Sequence, residues 1–348
     1  MPDLEKLAGA VPAGCADARA VWAALGEAGV IAEVADGARA VPPDVRPLGD
    51  LLGWLDTWVP AGVILSVCVQ IATVVPLLRR LGAHEVLRAA EEGRTTIALA
   101  VTDRSPGSDV LAAETRLGAA GKAPARLTGH KRWITNALTA DHLLVLARHD
   151  DRRHFTSFSW ALVPADRPGV SVRPRAPELF PGAGLGDVVL DDVELAPEHL
   201  VGRRGRALAD FAAHVTTERV ASALWARAFA RRVLLLTRAR LRGPRWENPA
   251  IRARFARCLV QWGALDALCG EQLGDSHAYA SLVKAYSGTA LPEIVRECAS
   301  LLGADALDDE TGMVSALSQA QIFDIAGGAT GVLLDTVADH AGDLLGEP

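Results

Sequence analysis

The feature that most constrains this chain is a double change of hydrophobic period. Residues 16 to about 95 are Ala-, Leu- and Val-rich pieces with polar residues at three-to-four spacing, separated by Pro and Gly. That is the pattern of packed helices. Its clearest amphipathic stretch is Pro76-Leu-Leu-Arg-Arg-Leu-Gly-Ala-His-Glu-Val-Leu-Arg-Ala-Ala. Between roughly 97 and 200 the chain breaks into short β-prone runs: Thr96-Ile-Ala-Leu-Ala-Val, His142-Leu-Leu-Val-Leu-Ala, Ser157-Phe-Ser-Trp-Ala-Leu-Val, Val170-Ser-Val and Asp187-Val-Val-Leu. Gly, Pro and Asp clusters punctuate them. From about 206 the helical period returns, interrupted near 242–249 and 304–312. Helices, then strands, then helices imply segregated α+β domains, not alternating βαβ units. The expected order is an N-terminal helical domain over 1–96, a middle antiparallel barrel or sandwich over 97–205, and a C-terminal four-helix bundle over 206–348.

Several function classes are disfavoured. A net charge of −6 argues against an electrostatic nucleic-acid binder. Cys15, Cys68, Cys258, Cys269 and Cys298 are odd in number, scattered, and without C-x-x-C spacing, so neither zinc nor a disulfide framework is expected. Scattered cysteines fit a reducing compartment and the start, MPDLEKLAGA, is acidic rather than basic, so a cytoplasmic setting is expected. The most apolar run, Pro60 to Leu78, holds Ser66, Gln70, Thr73 and Pro76 and reads as a buried helix, not a membrane span. Gly182-Ala-Gly-Leu-Gly lacks G-x-G-x-x-G spacing and a following helix, and reads as a loop. The nine histidines show no paired ligand spacing, and no metal is expected.

Two segments of the β-region carry chemistry. The first is Ala100-Val-Thr-Asp-Arg-Ser-Pro-Gly-Ser-Asp109 and the second is Leu127-Thr-Gly-His-Lys-Arg-Trp-Ile-Thr-Asn136. Each ends a strand in a turn that offers hydroxyls and backbone N–H groups, and Trp133 adds a flat apolar face. Such groups suit the edge and face of a flavin ring, although either segment alone could be an ordinary turn.

The first segment resembles the T-E-P-x-A-G-S-D motif of acyl-CoA dehydrogenases, and the second resembles their N-G-x-K-x-W-I-T-N motif. Leu162-Val-Pro-Ala-Asp-Arg-Pro-Gly-Val and Val188-Val-Leu-Asp-Asp-Val-Glu-Leu-Ala-Pro-Glu-His-Leu-Val-Gly resemble two later strands of that family. The resemblance is firm over about 80–235. It implies an FAD site at Thr102, Gly107 and Ser108 in the first motif and at Trp133 and Thr135 in the second, with Ser108 also near substrate. Asp103 and Arg104 stand where the family has Glu and Pro.

The family reaction removes the α-proton of an acyl thioester while a hydride leaves the β-carbon for the flavin. Most members carry the base as Glu in a C-terminal Y-E-G-T turn. Ala320-Gln-Ile-Phe-Asp-Ile-Ala-Gly-Gly-Ala-Thr330 looks equivalent, and it puts Gly327 at the Glu position. A minority, including isovaleryl-CoA and long-chain acyl-CoA dehydrogenases, carry the base in an E-R pair on an earlier helix. Glu218-Arg219 falls there. The resemblance therefore implies Glu218 as general base and the Gly327 N–H as donor to the thioester carbonyl. Arg219 is left as either a contact to the thioester carrier or a surface ion pair.

Other parts depart from the family. Its R-x-x-F-G stretch corresponds to Arg242-Gly-Pro-Arg-Trp-Glu-Asn-Pro-Ala-Ile-Arg252, which is shortened and lacks F-G. Arg242 or Arg245 is the candidate replacement contact to the FAD pyrophosphate. The resemblance thus implies FAD-dependent α,β-dehydrogenation of an acyl-CoA or acyl-carrier-protein thioester, with a flavoprotein or oxygen as electron acceptor and a homodimer or homotetramer as the assembly. The alternatives are an FAD-incomplete subunit of a hetero-oligomer, or a flavin oxidase or monooxygenase on the same fold.

Overall fold

The computed structural model describes residues 4–37, 44–104, 109–118, 124–175, 180–270 and 276–346. The chain forms two compact units, one from Met1–Asp36 and Trp58–Val215 and the other from Gly37–Thr57 and Thr216–Pro348.

In the first unit the apolar run is a central helix. Ala61–Val69 passes through a π-helical turn, Gln70–Val74, into Val75–Leu81. By length and composition Ala61–Leu81 could cross a membrane, with a mean hydropathy of 2.2 over its most apolar 18 residues, yet 89% of that window is buried inside the protein. Pro76 lacks an N–H and would break a regular helical ladder. It falls at the start of the segment that follows the π turn, where the ladder is already shifted. Gly62 lets backbone approach closely, because a β-carbon there would sit 2.1 Å from the Pro181 carbonyl oxygen.

The strands are β1 Ile97–Ala100, β2 Arg116–Leu117, β3 Ala125–Ile134, β4 His142–Arg148, β5 Phe158–Pro164, β6 Val170–Pro174, β7 Gly186–Leu195 and β8 Leu200–Val201. They form one sheet in the order β6-β7-β3-β2-β4-β5-β8, with β1 also paired to β4. The sheet is mostly antiparallel, as expected, and two particulars qualify that pattern. β1 and β2 each run parallel to β4, and the ladder among the described residues goes from β6 to β8 without closing. Parallel pairing needs a crossover connection, and the 41 residues from β1 to β4 supply it through β2 and β3. β4 and β5 are continuous apolar runs because both of their faces are covered. β7 alternates because one of its faces is not. The sheet core is Leu127, Leu143, Val145, Ala161, Val163, Val188, Leu190 and Val193 with their neighbours.

The second unit is helical. Its long members are Val215–Arg240, Pro249–Leu268 and His277–Leu302. The last helical layer of the expected bundle is broken into Met313–Ala320, Ile322–Ile325 and Thr330–Asp339. Arg46–Trp58 lays Asp56 into this unit, where its buried carboxylate accepts from Trp225 Nε1 at 3.2 Å and Arg232 Nε at 2.8 Å. All five cysteines are free thiols.

Candidate active site

In the first unit the two strand-end motifs are clamped together. Lys131 on β3 is fully buried, and its ammonium lies 2.5 Å from the Asp103 carboxylate. Burial pulls the Lys131 pKa down, against the Asp103 charge that holds the proton on. Asp103 also accepts from the backbone N–H of Glu114, from Thr115 N–H at 2.7 Å and from Thr115 Oγ1 at 2.8 Å. The Arg132 N–H donates to the Thr102 carbonyl at 2.9 Å. The Asp at the family's Glu position is therefore a structural anchor.

β3 ends in a register shift between Lys131 and Ile134, with Trp133 at φ +58°. A non-Gly residue rarely adopts that region. Here it leaves the indole 51% exposed rather than packed in the core. The Trp133 N–H donates to Asp187 Oδ1 at 3.2 Å, and the Arg175 guanidinium stacks 4.2 Å from the indole centroid while donating to the same oxygen at 2.9 Å. Burial pushes the Asp187 carboxyl up, but the Arg175 and Trp133 hydrogen bonds outweigh it and hold the carboxyl below the usual range. Thr135 is half-buried in the turn after β3, which Asn136 closes at φ +67°. Gly107 and Ser108 lie outside the described residues.

In the second unit, Glu218 lies in the first turn of Val215–Arg240 and Gly327 in the turn before Thr330–Asp339. The fold brings these two residues together. A β-carbon on Gly327 would sit 3.5 Å from Glu218 Oε1 and 3.8 Å from its Cγ. Gly327 has φ +73° and Gly328 φ +105°, a backbone that a glutamate at 327 would adopt only under strain. The space beside the glycine at the turn is thus approached by a carboxylate arriving from the helix.

Arg219 is not a surface ion pair. It is buried, and its NH1 reaches Ser281 Oγ at 2.7 Å and His277 Nε2 at 3.0 Å on His277–Leu302. Burial lowers its pKa, against the raising effect of Glu218. Arg242 donates to the Ala239 carbonyl at 2.6 Å, and Arg245 pairs with Asp305 at 2.7 Å, so both are half-committed to their own unit.

Sequence reasoning missed Lys284. It is fully buried on His277–Leu302, with its Cε 3.5 Å from the position of a β-carbon on Gly327 and its ammonium donating to the Phe323 carbonyl. Burial brings its pKa down to about 8, against the charges of Glu218 and Asp324 that raise it. A signal was available. The chain has four lysines among 36 Lys and Arg, and one of them interrupts a run of small and apolar residues, Ala280-Ser-Leu-Val-Lys-Ala.

The acyl-CoA dehydrogenase middle domain matches residues 98–193, and the acyl-CoA dehydrogenase C-terminal domain matches residues 208–342. The chain belongs to the acyl-CoA dehydrogenase family. Among curated relatives it is 29% identical over 343 residues to the acyl-[acyl-carrier-protein] dehydrogenase MbtN of Mycobacterium bovis, covering 91% of this chain and 86% of that one. It shares its fold with a glutaryl-CoA dehydrogenase from Mycobacterium smegmatis in complex with FADH2, at TM-score 0.82 and 21% identity over 99% of this chain and 89% of the other. It also shares it with the butyryl-CoA dehydrogenase of Megasphaera elsdenii, at TM-score 0.82 and 18% identity over 93% and 89%.

Proposed function

We propose that this protein is an FAD-dependent dehydrogenase that introduces an α,β double bond into an acyl thioester, with Glu218 as the base. The observation that carries the reading is the 3.5 Å approach of Glu218 Oε1 to the side-chain position of Gly327. The two residues are separated by more than a hundred positions, and one supplies the carboxylate that the other lacks. The half-exposed indole of Trp133 fits a flat ring, and the turn hydroxyl of Thr135 and the strand-end Thr102 fit its polar edge. Bound FAD supplies the acceptor for the β-hydride. Glu218 takes the α-proton, and the Gly327 N–H donates to the thioester oxygen where negative charge develops.

The similarity to MbtN favours a carrier-protein thioester over a CoA thioester. Assembly as a homodimer or homotetramer, electron transfer to a flavoprotein and a cytoplasmic setting complete the reading; the free thiols support the last. A second reading, a subunit whose flavin site a different chain completes, draws on the shortened 242–252 stretch and on Arg245 being engaged by Asp305.

Visible spectroscopy of the purified chain tests the proposal. Bound flavin that bleaches anaerobically with a saturated acyl thioester, giving a 2,3-unsaturated product, supports it. The series would cover short, medium and long acyl-CoAs and the same acyl groups on a phosphopantetheinyl carrier protein. A colourless chain that cannot be loaded with FAD supports the incomplete-subunit reading. A flavin that no acyl thioester bleaches removes the dehydrogenase reading.

A further inference from the structure

We infer that Lys284 is a positioning residue for this site: its buried ammonium fixes the Phe323 carbonyl, and with it the turn that presents Gly327, while holding a positive charge against the Glu218 carboxylate. The inference rests on the reading of Glu218 as the base.

The geometry has three parts. Lys284 Cε lies 3.5 Å from the β-carbon position of Gly327, the same distance as Glu218 Oε1, so the lysine stem and the carboxylate flank one point in space. The ammonium donates to the carbonyl of Phe323, whose ring is buried against Trp225 at a centroid separation of 4.8 Å. That carbonyl lies in Ile322–Ile325, immediately before the two left-handed glycines, so the bond ties the start of the turn to His277–Leu302. The third part is cost. A lysine with no exposed surface loses its hydration, and an apolar residue of the same length would pack there without that penalty.

Lys284 faces Glu218 and Arg219 from Val215–Arg240 and Asp324 from Ile322–Ile325. Arg219 turns its NH1 to Ser281 and His277. A cation beside a carboxylate favours the ionised form, the one that accepts a proton. The lysine's own pKa of about 8 leaves it mostly charged at neutral pH.

The test compares wild type, Lys284→Met, Lys284→Arg and Glu218→Gln as flavin-loaded full chains. Flavin content, melting temperature and the pH profile of anaerobic flavin reduction are read, using the acyl thioester that bleaches the wild-type flavin fastest. Lys284→Met is expected to keep its flavin and to move the ascending limb of the profile to higher pH by about one unit. On that limb the loss is about tenfold in rate at fixed pH. Lys284→Arg is expected to return the limb toward wild type. A limb that stays in place, with only melting temperature or flavin content lowered, makes the lysine merely structural and overturns the inference. A Glu218→Gln protein that reduces its flavin at the wild-type rate removes the base reading instead. Should both Lys284 variants unfold, wild type and Glu218→Gln are compared by melting temperature against pH. The alkaline gain in stability should begin at lower pH without Glu218, because its charge raises the lysine's pKa. Identical curves overturn the inference.

Discussion

Replacing Lys131 with methionine keeps the length and apolar stem of the side chain and removes its charge. The Asp103 carboxylate then stays buried, still accepting from the Glu114 and Thr115 amides and from Thr115 Oγ1, but with no counter-ion. Removing one partner of a buried ion pair costs about 3–5 kcal/mol. For a unit of this size each kcal/mol lowers the melting temperature by roughly 2–4 °C, so the expected drop is roughly 6–20 °C. Adding Asp103→Asn should recover part of the loss, since the stranded charge goes while an acceptor oxygen remains. Thermal melts followed by far-UV circular dichroism and by flavin fluorescence measure both effects. The clamp joins the two strand-end motifs proposed to hold the flavin, so flavin content should fall with stability and partly return in the double variant. A cost under about 1 kcal/mol, the size of an exposed ion pair, would refute the reasoning, as would a double variant weaker than Lys131→Met alone.

Three further outcomes follow from the same structure. Trp133→Ala should change stability by no more than about 0.5 kcal/mol, because the indole is half exposed, yet lower the flavin content of the purified protein; calorimetry and visible absorbance separate the two. Gly62→Ala should destabilise by about 1–3 kcal/mol in urea denaturation, since its β-carbon would meet the Pro181 and Phe180 carbonyl oxygens at 2.1 and 2.4 Å. Lys284 has a folded pKa of about 8 against an ordinary 10.5, so the folded state binds fewer protons in that window and its stability rises as pH climbs from 8 to 10.5. The gain, up to roughly 3 kcal/mol, should appear in wild type and vanish in Lys284→Met.

The helix, strand, helix order was legible because each period is set locally, by the side-chain repeat of one element. Each of the five β-prone runs contains strand residues, and the apolar run to Leu78 is the buried helix expected of it. The parallel pairings of β4 were not legible, because strand order depends on which distant edges meet. The Glu218–Gly327 approach was legible through the resemblance, from a missing carboxylate in one motif and a present one in another. For Lys284 the sequence offered only the oddity of a lone lysine in an apolar run; its burial beside Gly327 is a property of the packed unit. The surface alternative for Arg219 fell for the same reason: its partners Ser281 and His277 lie about sixty residues away.

The central claim is that Glu218 takes the α-proton. Single-turnover flavin reduction of wild type and Glu218→Gln, under anaerobic conditions and with saturating acyl thioester, tests it most directly. The expected result is unchanged bound FAD and a bleaching rate about 10²–10⁴-fold lower in the variant, the range general-base catalysis supplies. A variant that holds its flavin and bleaches as fast as wild type would contradict the account and send the search to another carboxylate.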